Sequence, residues 1–466
     1  MSKVDMKTVL SLLLVPAAFL LPACQTTGFE KIRGEQAAVE ARLPQNWQTA
    51  LEQGTIPQSW SRLFDDPMLQ KYMAAAQLRN SDIARAVIRV RQAEASLKNS
   101  QAVLFPILRT NAQISGLTGF DDFSLSDTYS NGLSASWSPG LFGRNDIEIK
   151  NAESLLEVSL ANKERVRRVV MAQVARAYIQ IIETDYQLQL AKDNLEFIGE
   201  TLRISEARFE AGDIARDQYA LAQLETSSAE ASVIALELSA RNLRRSLALL
   251  IGEPADSELN VAATLPKPAS LSLSRLPAEV IGRRFDVTAS RARIASAFSN
   301  LQQAERLNWP SVSLSGGLSG GGVNLGDFFN IDDYLANLSG ALAATLFDGG
   351  RKDAQIDLSR YGIDAALVDY DEVLREAMRE VESGFDRISA ARRSLLALER
   401  GSSAANKALE LEKIKYDLGE SIILDVLTVQ RRVNSILASY ISTQRRLLDA
   451  QIDTYLALGG EPLSSP

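Results

Sequence analysis

Few kinds of side chain in this sequence are able to carry out catalysis. Its 466 residues include no histidine and one cysteine, and its 58 acidic residues are spread along the chain. Histidine is the commonest general base and the commonest metal ligand, so its absence removes the usual basis of both functions. A single cysteine excludes intrachain disulfides and cysteine-based metal clusters. We therefore predict that the protein is not an enzyme and has no catalytic residue, no metal site and no bound cofactor.

The one cysteine, Cys24, follows the apolar run from Val9 to Leu21, which itself follows a basic segment. This pattern is typical of a secretory signal and is too short for a spanning helix. The end of the run resembles a bacterial lipobox, although Pro22 departs from the usual small residue. We therefore predict a signal peptide at 1–23 and covalent diacylglycerol and fatty acyl groups on Cys24. The alternative is an ordinary signal peptide that leaves a free thiol.

Gln25, rather than aspartate, follows the cysteine, and among lipoproteins this implies sorting to the outer membrane. The net charge is −8 and the basic residues are dispersed. Nucleic-acid binding requires a basic patch, so we expect no nucleic-acid partner.

Four short segments alternate between apolar and polar residues, which is typical of strands. We predict strands at about 107–117, 129–138, 311–319 and 335–346. Each has one apolar face and one face of serine, asparagine or glutamine, as expected when one side meets lipid and the other meets water. The alternative is a pair of hairpins on a soluble sheet, but an isolated hairpin is not stable by itself.

Four strands cannot close a barrel around water, and an open sheet edge is not tolerated inside a bilayer. The chain must therefore oligomerise, and three copies would supply about twelve strands, within the range of bacterial barrels. Aromatic side chains near strand ends are typical of membrane interfaces. The candidates for this position are Trp137, Phe142, Trp309 and Phe347.

Two proline-free segments, 144–253 and 351–461, are predicted to form long helical hairpins. Gly212 and Gly419 are expected at the turns, because glycine tolerates the left-handed conformation that ends a helix. Ser421 is expected to cap the helix after the second turn. Helices of this length need packing partners from end to end, as in a coiled coil.

Shorter helices are predicted from about Pro67 to Leu104, with a possible restart at Asn80, and from about Pro277 to Leu307. The region after the signal peptide, up to about residue 64, contains prolines and tryptophans with little periodicity. We expect it to form an irregular arm. A segment rich in proline and serine is predicted to be a linker between the two halves.

The two halves have the same order of elements at a nearly constant spacing. Arg144 and Arg351, which begin the long helices, are 207 residues apart, and so are Gly212 and Gly419. The Gly-Glu-Pro motifs that close the halves are 208 residues apart. A repeat of this length is one large unit used twice. The predicted divisions are 1–23 (signal peptide), 24–64 (periplasmic arm), 65–254 (first repeat), 255–274 (linker) and 275–462 (second repeat).

Several motifs resemble those of a known family. They are Trp60–Pro67, Leu141–Arg144 with Leu346–Arg351, Tyr416–Leu427 and Ala457–Gly460. With them the sequence resembles the outer membrane factors of the TolC/OprM type, in the NodT-like lipoprotein branch, over essentially the whole mature chain. The resemblance implies an α+β membrane protein with internally duplicated long helical hairpins that form a periplasmic α-barrel. Four strands per chain would contribute to a trimeric 12-stranded outer-membrane β-barrel.

The same resemblance implies a passive, gated exit duct. A homotrimer of this kind is surrounded by outer-membrane lipids and works with a periplasmic membrane-fusion adaptor and an inner-membrane efflux pump of the RND type. Two alternatives stay open on the sequence. One is the exit duct of a type I protein-secretion system, which has the same fold. The other is a non-conducting, structural coiled-coil lipoprotein, although the four amphipathic strands argue against it.

Members of the family commonly have acidic residues one turn apart at the end of the tunnel. Asp425 matches the first position and Thr428 stands at the second. A ring of carboxylates attracts cations and repels anions, so we expect a weaker cation filter here than in members with both acids. The alternative role of Asp425 is a helix-start carboxylate favoured by the helix dipole. We expect polar contacts between neighbouring hairpins to close the gate at rest, through Arg216, Gln218, Tyr416, Ser421, Asp425 and Thr428.

Overall fold

The computed structural model describes residues 25–44, 63–118, 125–268, 281–323 and 334–459, with the single positions 47, 277, 330 and 332. The helices in these ranges are α1 (Gln25–Glu40), α2 (Pro67–Arg79), α3 (Ser81–Ala102), α4 (Arg144–Glu210), α5 (Arg216–Ile251), α6 (Phe285–Glu305), α7 (Arg351–Asp417) and α8 (Ile423–Ala457). The strands are β1 (Ile107–Thr118), β2 (Leu125–Trp137), β3 (Ser311–Gly322) and β4 (Leu335–Ala343). None of the helices in the described part of the chain is both long and apolar enough to cross a membrane.

The chain divides into two compact units, which we call the strand unit and the helical unit. The described residues of the strand unit fall within Met1–Pro44, Leu104–Asn151 and Ile294–Glu372. Those of the helical unit fall within Gln45–Val103, Ala152–Arg293 and Val373–Pro466. The strand unit holds all four strands, and the helical unit holds the ends of both long hairpins.

The strands form one antiparallel sheet in the order β1-β2-β3-β4. β2 begins at Leu125, four residues before the predicted start, because its pairing with β1 continues until Leu125 lies opposite Thr118. Among the described residues, the outer edges of β1 and β4 pair with no further strand. The sheet therefore ends in two rows of backbone groups that lack a ladder partner within the described part of the chain.

The last strand, β4, ends at Ala343, three residues before the predicted end at 346. The Asp348 carboxylate accepts hydrogen bonds from the backbone N–H groups of Gly350 at 3.1 Å and Lys352 at 3.0 Å. The Lys352 ammonium donates to the Thr345 carbonyl at 2.9 Å. These bonds start α7 and turn the chain out of the sheet.

The helical unit has a core around Tyr178, whose side chain is completely buried. Its hydroxyl donates to Asp66 Oδ2 at 2.8 Å and accepts from the Ala262 N–H at 3.0 Å. Asp66 also caps α2 by accepting from the first backbone N–H groups of that helix. Burial raises the pKa of the Tyr178 phenol well above its usual range, and the Asp66 carboxylate adds to the rise. One buried hydroxyl thus ties α4, the start of α2 and the segment at 255–268 together.

Some shorter elements differ from the prediction. The irregular arm is wrong for residues 25–40, which form α1, because the prolines begin only at Pro44 and good helix formers precede them. The described part of the linker, 255–268, is irregular but packs into the helical core through buried Leu259. Pro277 and Ile281 are helical, in agreement with the predicted start near 277, but a turn at 282–283 interrupts the predicted helix, and α6 begins at Phe285. At this turn the Arg284 N–H bonds to the Ile281 carbonyl.

The internal repeat is visible in the backbone as pairs of left-handed glycines. The φ angles are 75° and 87° at Gly143 and Gly350, 80° and 76° at Gly212 and Gly419, and 72° and 82° at Gly252 and Gly459. All three pairs have the same separation in the sequence as Arg144 and Arg351. The equivalent of Gly252 is therefore Gly459, not the Gly460 suggested by the Gly-Glu-Pro motifs. One spacing holds from the start of each hairpin to its end.

Candidate functional site

The ends of the two helical hairpins share one backbone arrangement. In the first, the N–H of Gly212 bonds to the Phe209 carbonyl at 3.0 Å and the N–H of Asp213 bonds to the Arg208 carbonyl at 2.8 Å. In the second, the N–H of Gly419 bonds to the Tyr416 carbonyl at 3.0 Å, and that of Glu420 bonds to the Lys415 carbonyl at 2.9 Å. This pair of bonds is the Schellman motif, which requires the left-handed residue that glycine supplies at both turns.

Aromatic stacking closes the first hairpin end. The rings of Phe209 and Tyr219 lie 5.2 Å apart and almost parallel, at 7°. The Tyr219 hydroxyl lies 3.3 Å from Glu206 Oε1. Partial burial raises the pKa of Tyr219, and the Glu206 carboxylate raises it further. The phenol therefore stays protonated and acts as a hydrogen-bond donor across this turn.

Polar contacts close the second hairpin end. The Ser421 hydroxyl donates to Glu412 Oε1 at 2.5 Å, and the Lys415 ammonium lies 3.2 Å from Glu412 Oε2. The hydrogen bond from Ser421, together with Lys415, holds the pKa of Glu412 below its usual range. Ser421 Oγ also lies 3.3 Å from Asp425 Oδ2. A hydroxyl has one hydrogen to donate, so the two carboxylates compete for it.

The predicted capping role of Ser421 is wrong. α8 begins one residue later than that role requires, so Ile422 occupies the N-cap position and no side chain caps the helix. Ser421 instead bonds back to Glu412 on α7. Asp425 lies in the first turn of α8 and is exposed. It is placed where a negative charge is favoured by the helix dipole, as its alternative role requires.

Side chains of the two hairpins meet close to their ends. The Arg208 guanidinium lies 5.0 Å from the centre of the Tyr416 ring, and the Lys413 ammonium lies 4.8 Å from that of Phe197. Contacts of this kind between a cation and an aromatic face are attractive. They join α4 of the first hairpin to α7 of the second.

A second set of polar contacts joins α5 to α8. Arg431 lies 3.2 Å from Glu225 Oε1 and 3.4 Å from the Thr428 hydroxyl. Thr428 is thus held beside an ion pair between the hairpins. A small apolar cluster of Ile198, Ala229 and Leu427 also joins the two hairpins.

The structure brings only part of the predicted gate together. Tyr416 and Thr428 lie at contacts between the hairpins, while the polar partners of Ser421 and Asp425 described above lie within their own hairpin. Arg216 is exposed at the start of α5 and Gln218 is half-buried; no hydrogen bond joins either side chain to Tyr416, Ser421 or Asp425 among these described positions. Sequence reasoning missed Arg208, Glu412 and the Arg431–Glu225 pair. Arg208 lies in the last turn of a helix, where a basic residue is common for local reasons, so nothing in the sequence set it apart.

The predicted interface aromatics all lie in the strand unit. The rings of Phe142 and Trp309 are 5.2 Å apart and tilted by 42°, and the Arg306 guanidinium lies 5.2 Å from the Trp309 ring. Trp137, at the end of β2, is half-buried. Phe347 is 89% exposed in the single chain. Cys24 lies outside the described residues, as does the acidic loop from Gly119 to Phe123.

Sequence comparison identifies the family. The profile described as outer membrane efflux protein matches residues 73–253 and 276–460, one segment in each repeat. The chain belongs to the outer membrane efflux protein family. The assignment made from the motifs is therefore confirmed. The protein is an outer-membrane efflux protein that extends into the periplasm, and, like its family, it is a channel protein rather than an enzyme.

Individual relatives cover most of the chain. The pyoverdine export outer membrane protein OpmQ of Pseudomonas aeruginosa is 29% identical over 97% of this chain and 96% of its own. Nodulation protein T of Rhizobium leguminosarum bv. trifolii is 26% identical over 82% of this chain and 83% of its own. The crystal structure of the open state of the MtrE outer membrane channel of Neisseria gonorrhoeae superposes with a TM-score of 0.78, at 26% identity, over 91% of this chain and 97% of that one. The fold class predicted from the sequence is confirmed.

Replacing Gly419 by alanine should loosen the second hairpin end. A non-glycine residue in the left-handed conformation costs roughly 1–2 kcal/mol. No heavy atom lies within 4 Å of an added Cβ, so the cost is conformational rather than steric. Hydrogen-exchange mass spectrometry should show exchange about 5- to 30-fold faster in the amides around the turn.

Gly401 offers a matched control in the interior of α7. An added Cβ there meets only Ile436 Cδ1 at 3.9 Å, so Gly401→Ala should be neutral or stabilise the helix by about 0.5–1 kcal/mol. Equal effects of the two substitutions on exchange at the turn would contradict the role assigned to Gly419.

Proposed function

We propose that this protein is the outer-membrane exit duct of a tripartite efflux system for small molecules, of the drug or xenobiotic type. It works with a periplasmic membrane-fusion adaptor and an inner-membrane pump of the RND type. The observation that carries the proposal is the similarity over 97% of this chain to a relative that is named for pyoverdine export. The duct breaks no bond and needs no cofactor, because the pump supplies the energy.

The sheet supports the oligomeric part of the proposal. Backbone groups at a sheet edge need partners inside a bilayer, and β1 and β4 lack them in the described chain. Both outer strands also expose large apolar side chains, such as Leu108 at 68% and Leu338 at 88%. Three copies placed edge to edge would close a barrel of about twelve strands, an even number as in bacterial outer-membrane barrels.

The hairpin ends support a gate. The contacts of Arg208 with Tyr416, and of Arg431 with Glu225, hold the two hairpins of one chain together at their ends. We propose that they belong to the resting state, in which Asp425 from each copy faces the narrow end of the tunnel. An adaptor favours the open state only by binding it more tightly than the closed one.

The single-channel conductance of the purified protein in planar bilayers tests the duct. The wild type should show a small, cation-selective conductance, because three carboxylates surround a narrow passage. Asp425→Ala should raise the conductance several-fold and reduce the preference for cations. Glu420→Ala serves as a matched control, because it removes one negative charge per chain from the same turn.

The outcomes separate the duct from its gate. Equal effects of the two substitutions would reject the position of Asp425 at the narrow end of the tunnel. They would not contradict the proposed duct. A protein that stays monomeric and never enters bilayers would overturn the duct itself and favour a structural lipoprotein.

The class of transported solute can be tested in the host. Deleting the gene should increase the accumulation of small fluorescent pump substrates and leave the set of secreted proteins unchanged. The wild-type gene supplied on a plasmid should restore export. Unchanged accumulation together with the loss of a protein from the medium would instead indicate a type I secretion duct.

We also propose that Cys24 carries diacylglycerol and a fatty acyl group. Cys24→Ser should abolish the incorporation of labelled palmitate and leave a precursor with its signal peptide, as measured by intact mass. A variant with both Cys24→Ser and Asp364→Cys has a thiol at an exposed position of α7 and should remain unlabelled. Labelling of either variant, or an unlabelled wild type, would contradict the assignment.

A further inference from the structure

The two repeats are joined inside the strand unit by a specific set of contacts, which we call the β2–β3 join. β2, the second strand of the first repeat, pairs with β3, the first strand of the second repeat, from Tyr129 opposite Gly322 to Trp137 opposite Leu314. Beyond the last pair, the Ser138 hydroxyl donates to the Val312 carbonyl at 3.1 Å. The sequence of the chain provides a second copy of both sides of this join.

Strand pairing and the spacing of the left-handed glycines together fix how the repeats correspond. Ile107 lies opposite Ser136 in the first hairpin, and Ser311 lies opposite Ala343 in the second. If β2 corresponds to β4 with the offset of the left-handed glycines, Ser136 corresponds to Ala343. β1 corresponds to β3 with the slightly shorter offset that takes Ile107 to Ser311.

A pair of side-chain hydrogen bonds confirms this correspondence independently. Asn145 Nδ2 donates to the Ser138 carbonyl at 3.1 Å in the first repeat. Lys352 Nζ donates to the Thr345 carbonyl at 2.9 Å in the second. The two donors, and likewise the two acceptors, have the same separation in the sequence as the left-handed glycines, so Thr345 occupies the place of Ser138. Threonine keeps the hydroxyl that the β2–β3 join uses.

We propose that β4 pairs with β1 of a second copy of this chain in the register of the β2–β3 join. Applying the two offsets places Ala336 opposite Thr118 of the second copy, Leu342 opposite Ala112 and Ala344 opposite Thr110. The hydroxyl of Thr345 then donates to the Leu108 carbonyl of the second copy, as Ser138 does to Val312. The inference rests on the oligomer of the proposed function and specifies its strand interface.

The alternation of side chains agrees with this register, although it was not used to derive it. Leu338 and Leu342 come opposite Gly116 and Ala112, and Ser339 comes opposite Ser115. Apolar residues thus share one face of the extended sheet. A slip of one residue would move every side chain of β4 to the wrong face and place Leu342 opposite Asn111 or Gln113.

The same register covers apolar surface that the single chain leaves open. If it continues beyond Ala344, Leu346 comes to lie opposite Leu108 of the second copy. Leu346 is 97% exposed and Leu108 is 68% exposed in the isolated chain. Each copy pairs through its β4 edge with the β1 edge of the next copy. The contact is therefore head-to-tail, and it repeats until a ring closes.

Engineered cysteine pairs test the register in the native membrane. The predicted pairs are Leu342→Cys with Ala112→Cys and Ala343→Cys with Asn111→Cys. Successive antiparallel pairs alternate between hydrogen-bonded and closer, non-hydrogen-bonded positions, so one of these two has the shorter spacing. Directly opposite Cβ atoms are about 4.5–5.5 Å apart and diagonal ones about 7–8 Å, while a disulfide needs about 3.5–4.5 Å.

Pairs shifted by two residues are the matched controls. They are Leu342→Cys with Ile114→Cys and Ala343→Cys with Gln113→Cys, which keep each thiol on the same face. Oxidation with copper phenanthroline should convert at least one predicted pair to linked dimers and trimers on a non-reducing gel, at least fivefold more than its shifted control. Single-cysteine variants should not link and show that Cys24 does not contribute.

Linkage mainly in the shifted pairs, or in none of the four, would overturn the proposed register. The conductance of the same variants under reducing conditions separates this failure from a failure of the duct. Conducting trimers that link only in the shifted pairs would keep the proposed function and reject the β4–β1 register. If the wild type and the cysteine variants all fail to conduct and to assemble, both the proposed function and the β4–β1 register are rejected.

Discussion

Two rows of backbone groups, on the outer edges of β1 and β4, have no strand partner in the described chain, and this is the constraint on which the rest of the architecture depends. A sheet of four strands cannot satisfy them by itself, and a bilayer offers no water to do so. The internal duplication offers a way to pair these groups, because β2 of the first repeat already pairs with β3 of the second in the β2–β3 join. A head-to-tail oligomer in which the same join recurs would leave no edge open.

The two hairpin ends share the same backbone conformation but differ in the side chains that contact each other there. Both hairpins end in the same Schellman motif around a left-handed glycine, at equivalent positions of the two repeats. The first turn is then closed by the stacked rings of Phe209 and Tyr219, while the second is closed by the bond from Ser421 to Glu412. The backbone geometry that the fold requires is thus present in both repeats, while the side-chain contacts at the turn differ.

Local patterns in the sequence predicted the elements well where one local force decides the structure. Strand alternation located all four strands, and the glycines located both hairpin turns. Two features were not predicted because a side chain has a competing partner or a partner far away in the sequence. Ser421 was expected to cap α8, but a carboxylate nine residues earlier on α7 takes its hydroxyl. The contact of Arg208 with Tyr416 joins residues more than two hundred positions apart, and no local pattern indicates it. α1 was missed because prolines and tryptophans further along the arm outweighed a short run of helix formers.

The contacts at the hairpin ends are weak individually, and this suits the proposed gate. A cation over an exposed aromatic ring contributes about 0.5–1 kcal/mol, and an exposed ion pair contributes about 0.2–1 kcal/mol. Arg208 with Tyr416, Lys413 with Phe197 and Arg431 with Glu225 would therefore hold each chain closed by only a few kcal/mol. Moving a two-state equilibrium from almost closed to almost open takes about 5.5 kcal/mol of differential binding. In the proposed duct, an adaptor that contacts all three copies would provide this with a modest preference for the open state at each one, so the proposed opening would need no chemical step in the duct itself.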